Sequence, residues 1–143
     1  MSATYAPFTM DKFQVTEFHF NTDLANLNDE IVLDFNVSGE YNEKEATFSI
    51  YLTFIAKQSE KAITEIKLDA IIFATIKSVF SLKEWKTLDE IEAYFYPNSL
   101  GIMFPYLRSY ISNATINSDD TVILPLLNLS SLVPDLKNNI TIL

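Results

Sequence analysis

No cysteine occurs in the 143 residues, which excludes disulfides, thiolate catalysis and cysteine-ligated zinc, and fits a reducing compartment. Glycine is nearly as scarce, with only Gly39 and Gly101 present. Phosphate-cradling loops need several glycines close together, so neither common nucleotide-binding motif can be built. Histidine and arginine occur once each, as His19 and Arg108. No stretch approaches the ~20 apolar residues of a membrane helix. Met1–Met10 carries neither the basic start nor the apolar run of a signal peptide. These absences predict a soluble protein of the cytoplasm with no membrane partner.

Ten Lys and Arg stand against 19 Asp and Glu, a net charge of −9. The clustered cations that neutralise phosphates are missing, so no nucleic acid is expected as a partner. The negative surplus either keeps the chain soluble or offers an acidic face to a basic partner. Apolar residues are plentiful: 48% of the chain is hydrophobic, with 11 Phe and 7 Tyr. That is too apolar for disorder and enough to fill the core of one domain spanning residues 1–143.

The reactive side chains do not form a constellation. His19 has Glu17 two residues away within a strand pattern, where a lone histidine serves structure. The adjacent acids Asp29-Glu30 and Asp119-Asp120 lack the spacing of a calcium loop. Glu43/Glu45 and Glu90/Glu92 lie in polar segments, and no serine sits in a nucleophile elbow or a triad pattern. Arg108 reads as a surface or interface ion pair. No metal, no cofactor and no enzymatic activity are expected.

Periodicity organises the rest. Residues 1–10 read as a flexible arm. Lys12–Phe20 is a strand whose apolar parity switches, which predicts a bulge near Thr16 or Glu17. Asn21–Asp29 is a loop. Glu30–Tyr41 and Glu45–Lys57 alternate with a period of two and join through the polar turn Tyr41–Lys44 as a hairpin. Gln58–Lys61 is the next turn. Ile63–Phe80 is a long strand, apolar on both sides in its second half. That second apolar face needs a cover: the chain's own helix, a second subunit or a client. Thr87–Tyr96 is weakly helical and closed by Pro97. Leu100, Met103, Phe104, Leu107, Ile111 and Ala114 then follow helical spacing, with Asn98 or Ser99 as cap. Because Pro105 tolerates only a first turn or a kink, the helix proper is expected to start near Phe104. Val122–Leu129 is an apolar run broken by Pro125, and Leu132–Leu143 forms a weak terminal segment. Strands followed by a helix predict an α+β fold.

The segment Ile102-Met103-Phe104-Pro105-Tyr106-Leu107-Arg108 resembles the opening of the long helix in the SecB family of protein-export chaperones. That family follows Phe-Pro-Tyr with a basic residue, then a loop and an apolar segment with Pro and Asn, as in Leu124-Pro125-Leu126-Leu127-Asn128-Leu129. The glycine-rich strand segment of the family is replaced by Ala70-Ile71-Ile72-Phe73, and the acidic tail of export members is missing. The resemblance implies a four-stranded antiparallel sheet followed by a long C-terminal helix and a short terminal segment. It also implies a homo-oligomer, either a dimer or a dimer of dimers (a homotetramer), with helices at the interface.

The implied function is ATP-independent binding of unfolded or nascent polypeptide in apolar grooves. Export members hand clients to the SecA motor; Glu65 and Asp69 are acidic strand residues of the kind used there. Small relatives serve one client in toxin–antitoxin systems, and either role is open. Two other readings remain beside the chaperone: an interaction module with one dedicated protein partner, and a small-ligand-binding α+β domain. Candidate groove residues are Tyr51, Ile55, Ile71, Phe73 and Val79 on the second apolar parity, with Tyr94, Phe95 and Tyr96 at the edge. Each either lines the groove or packs under the helix or in a subunit interface. Phe104, Leu107, Arg108 and Ile111 are assigned to the core or the oligomer interface.

Overall fold

The computed structural model describes residues 7–21, 31–58, 70–83, 88–116 and 122–143. In chain order they form strands β1 (Phe8–Phe20), β2 (Ile31–Asn42), β3 (Thr47–Gln58) and β4 (Ile72–Leu82). Helices α1 (Leu88–Glu92) and α2 (Phe95–Ala114) follow, then a 3-10 turn (Leu129–Leu132), helix α3 (Val133–Asn138) and strand β5 (Ile140–Ile142). The sheet order is β1-β4-β3-β2-β5, antiparallel throughout except that β5 runs parallel to β2.

The period-two pattern places one face of every long strand in the core. In β3, Phe48, Ile50, Leu52, Phe54 and Ala56 are all buried. Their register partners in β4 are Phe80, Ser78, Ile76, Ala74 and Ile72. The bulge predicted near Thr16 is present: the register slips between Val15 and Glu17, and again between Met10 and Lys12. Each extra residue resets the pleat, so Phe13, Val15, Phe18 and Phe20 all face the same side. The hairpin turn lies at Glu43–Ala46, two residues later than expected. Asn42 Oδ1 accepts the Glu45 N–H at 3.1 Å, and Ala46 closes the loop at φ 51°.

Four expectations need correction. The arm was expected to reach residue 10, yet β1 begins at Phe8, whose buried ring packs edge-on against Phe80 and Phe95. The proposed strand from Ile63 starts, within the described residues, at Ile72; residues 59–69 lie outside them. Pro97 does not close a helix, and Phe104 does not start one. A single helix runs through both prolines from Phe95. Pro97 falls in its first turn, where backbone N–H groups have no helical acceptor anyway. Pro105 lies in its interior, at a cost of about 3 kcal/mol. Burial of Phe95, Leu100, Met103, Phe104, Leu107 and Ile111 outweighs it, at about 1.5–3 kcal/mol for each large side chain. Asn98 and Ser99 are not caps; their side chains donate back to the carbonyls of Tyr94 and Tyr96.

The fourth correction concerns the layout of the chain. The long helix is not C-terminal, and among the described residues the sheet has five strands, mixed rather than purely antiparallel. What read as a weak terminal segment, Leu132–Leu143, holds α3 and β5, and the 3-10 turn leads into it. Asn128 Oδ1 accepts the Ser130 N–H at 3.1 Å and starts the turn. Leu129 and Leu136 anchor the segment in the core. Lys137 ion-pairs with Glu92 of α1. No helix of the described residues is long and apolar enough to cross a membrane.

Candidate functional site

Helix α2 covers one sheet face and, among the described residues, no helix packs on the other, referred to below as the open face. On the open face, register places His19, Phe73, Ile55 and Asp34 in one row, and Lys12, Val79, Ser49 and Glu40 in another. Tyr51, Ile55, Phe73 and Val79 therefore share the face that the parity argument assigned to them. Their surroundings differ. Phe73 is 8% exposed, and its ring lies 6.2 Å from that of His19. Ile71 is buried, and its N–H donates to the Ala56 carbonyl at 2.8 Å. Tyr51 is engaged by the chain's own polar groups: its hydroxyl donates to Glu40 at 3.2 Å, and Lys77 Nζ sits 5.5 Å from its ring centre. Most of this face is Thr, Ser, Lys and acid. Its apolar residues on the described strands are Val32, Ile55, Phe73 and Val79, beside the ring of Tyr51.

Phe95 and Tyr96 are 0% and 2% exposed, deep in the aromatic core with Phe48. Burial takes both away from the edge of this sheet face and leaves Tyr94, 48% exposed, as the accessible member of the three there. Phe104, Leu107 and Ile111 are likewise buried against the chain's own sheet. The surface that α2 offers to another molecule lies elsewhere. Ile102, Tyr106 and Tyr110 recur every four residues and are exposed. Tyr106 and Tyr110 lean on Phe13 and Phe18 of β1, with ring centres 5.3 Å apart in both pairs.

The other flank of α2 carries the most open apolar ground. Pro105, Arg108, Ser109, Ser112, Asn113, Ile116 and Ile123 line a groove of about 450 Å3. Its outer wall is the extended segment Val122–Asn128. Pro125 has no N–H and keeps Leu124 extended, so the segment cannot wind into a helix. Two side chains hold it in place. The Arg108 Nε–H donates to the Leu124 carbonyl at 2.8 Å, and Thr115 Oγ1 accepts the Val122 N–H at 2.9 Å. Leu124 points inward at 3% exposure, whereas Ile123 and Leu126 point outward at 66% and 83%. Sequence reasoning had marked this run as apolar without resolving which residues face water. The tethered segment thus holds Ile123 and Leu126, spaced as Ile–x–x–Leu, at the surface.

His19 Nε2 and Glu17 lie 3.0 Å apart on the exposed sheet face. Among the described residues no cluster of His, Asp and Glu is arranged to hold a metal ion. Asp29-Glu30, Asp119-Asp120, Glu65 and Asp69 lie outside the described residues, apart from which Glu43 and Glu45 sit in the exposed hairpin turn.

No protein-family model matches the chain, and no curated protein sequence matches it. Solved structures do match in fold. The Mycobacterium tuberculosis Rv1957 SecB-like chaperone, in complex with a ChAD peptide from the Rv1956 HigA1 antitoxin, superposes with a TM-score of 0.62. The match covers 85% of this chain and 88% of that one at 13% identity. The chain has the SecB-like fold.

Proposed function

We propose that this protein is an ATP-independent, SecB-like holding chaperone of the cytoplasm, and that it holds apolar segments of unfolded or nascent polypeptide. The observation that carries the reading is the tethered groove on α2, with Ile116, Ile123 and Leu126 exposed on a fold shared with a chaperone. Covering such a side chain completely is worth about 1.5–3 kcal/mol. Three partly exposed ones give a gross attraction of several kcal/mol, offset by the entropy of ordering an extended client. Binding is therefore reversible and needs no nucleotide to release the client. Sequence composition supports the same mechanism, because no phosphate loop can be built from two glycines.

A dedicated client of the toxin–antitoxin kind is the form of this reading that the fold match favours, since the mycobacterial chaperone was captured with an antitoxin peptide. Export delivery to SecA is the other form. Both assign the groove to the client, and both make the active unit a homo-oligomer. Suppression of the aggregation of a chemically unfolded reporter, without ATP, tests the groove directly. The wild-type chain should suppress aggregation, and an Ile123→Asp/Leu126→Asp variant should lose most of that effect while keeping its melting temperature. Equal suppression by both proteins, or none by the wild type, overturns the assignment. A single antitoxin-type partner held stoichiometrically, with weak action on unrelated reporters, selects the dedicated form.

A further inference from the structure

Away from the groove, α1, the first turn of α2, α3 and β5 enclose a second concavity. Asp89, Glu92, Tyr96, Lys137, Ile140 and Ile142 line this pocket of about 290 Å3. Tyr96 is 2% exposed, and its hydroxyl has no hydrogen-bond partner among the described residues. Burial, followed by the charges of Glu92 and Asp89, pushes its pKa up to about 12. The hydroxyl therefore stays neutral. Tyr41 stands close by, 4% exposed, and is also shifted upward by burial, Glu43 and Glu90. Two carboxylates and a neutral phenol, which can both accept and donate, share this lining with a single cationic side chain.

That cation is Lys137, whose ammonium is paired with Glu92. It shows that a cation on a long aliphatic stem fits here. Its side chain is 40% exposed, so the pair is open to water and exchangeable. The remaining wall is apolar. Ile140 and Ile142 pair in register with Gly39 and Tyr41 of β2 and turn toward the same side as Tyr96. A lysine or arginine stem packs on such a wall while its charged head reaches the acids. β5 ends the sheet, so its outer edge is open among the described residues to the backbone of an extended chain. The whole molecule adds a long-range bias, with a net charge of −9.

We propose that this pocket receives a lysine or arginine side chain of an extended partner polypeptide, which takes the place of Lys137 against Glu92. The site is separate from the α2 groove, so groove variants leave it intact. The test is a titration of the full chain with the capped peptide acetyl-Leu-Lys-Leu-amide, followed by the methyl resonances of Ile140 and Ile142. The same peptide with norleucine in place of lysine is the control.

Saturable shifts are expected with the lysine peptide and not with norleucine. Glu92→Gln should weaken binding about tenfold, the size of one charge-assisted contact. Lys137→Met should tighten it severalfold, because the internal competitor is gone. Lys44→Met makes the same charge change in the hairpin turn and should leave the affinity near that of the wild type. Equal shifts with norleucine overturn the proposal. So does an unchanged affinity in Glu92→Gln, or tightening in Lys137→Met no greater than in Lys44→Met.

Discussion

Replacing Gly39 with alanine adds one methyl group where the structure has no room for it. Gly39 lies in β2 between Ile50 of β3 and Ile140 of β5. A Cβ there would stand 2.6 Å from Phe48 Cε1, 2.8 Å from Phe48 Cζ and 3.2 Å from Leu136 Cδ1. Carbon atoms settle at about 3.5–4.0 Å, so the ring would have to retreat by about 1 Å. It has nowhere to go. Phe48 is fully buried, with ring centres of Phe95 at 5.1 Å, Tyr96 at 5.7 Å and Tyr41 at 6.2 Å. Overpacking of this kind costs about 1–3 kcal/mol, whereas loss of glycine's freedom in the unfolded chain returns about 0.4–1 kcal/mol.

The net expectation for Gly39→Ala is a loss of about 1–2 kcal/mol. Urea unfolding at constant m-value measures it as a lower midpoint. Phe48→Leu in the same chain should relieve part of the clash, giving a coupling above the ~0.5 kcal/mol expected of independent sites. A Gly39→Ala midpoint equal to or above that of the wild type, or strictly additive effects of the two substitutions, refutes the reasoning.

Two further outcomes follow from single buried groups. Ser78 is fully buried on the core face between Phe13 and Ile50, and its Oγ has no partner among the described residues. Ser78→Ala should therefore stabilise the fold by about 1 kcal/mol and raise the melting temperature by about 2–5 °C; a lower melting temperature would show that the hydroxyl is satisfied. Tyr96 is held at about 12 against 10.0 for a free phenol. A folded value above the unfolded one means the folded chain keeps its proton longer. The associated stability is complete below pH ~10 and is lost as pH rises toward 12, roughly 2–3 kcal/mol in all. Tyr96→Phe should remove that part of the alkaline loss, read as the difference in urea midpoint between pH 9 and pH 11.5; identical losses in both chains would refute it.

Several elements were legible because their signal is local. The parity switch in Phe13–Phe20 marked the Thr16 bulge, since one inserted residue moves every later side chain to the other face. The stripe from Leu100 to Ile111 marked the buried side of α2 for the same kind of reason. Absences were equally informative about nucleotide loops and thiol chemistry. The candidate site was harder to read. The run Val122–Leu129 announced itself as apolar, but no period separates the inward Leu124 from the outward Ile123 and Leu126. Arg108 and Thr115 decide that orientation by fixing two backbone groups from a helix turn away in space.

By itself, then, the sequence determined the strands, the hairpin, the buried helix face and an α+β class, because these depend on spacing within a few residues. Tertiary structure alone decided what covers what. It carried α2 straight through Pro97 and Pro105, because core burial outweighs a local proline cost. It turned the terminal segment into α3 and a fifth strand, because Gly39 lets Leu136 and Phe48 meet beside β2. It also drew Phe95 and Tyr96 into the core while leaving Tyr94 at the surface. Neighbours in the chain share composition, but burial is set by partners far away in sequence, and only the folded chain brings those partners together.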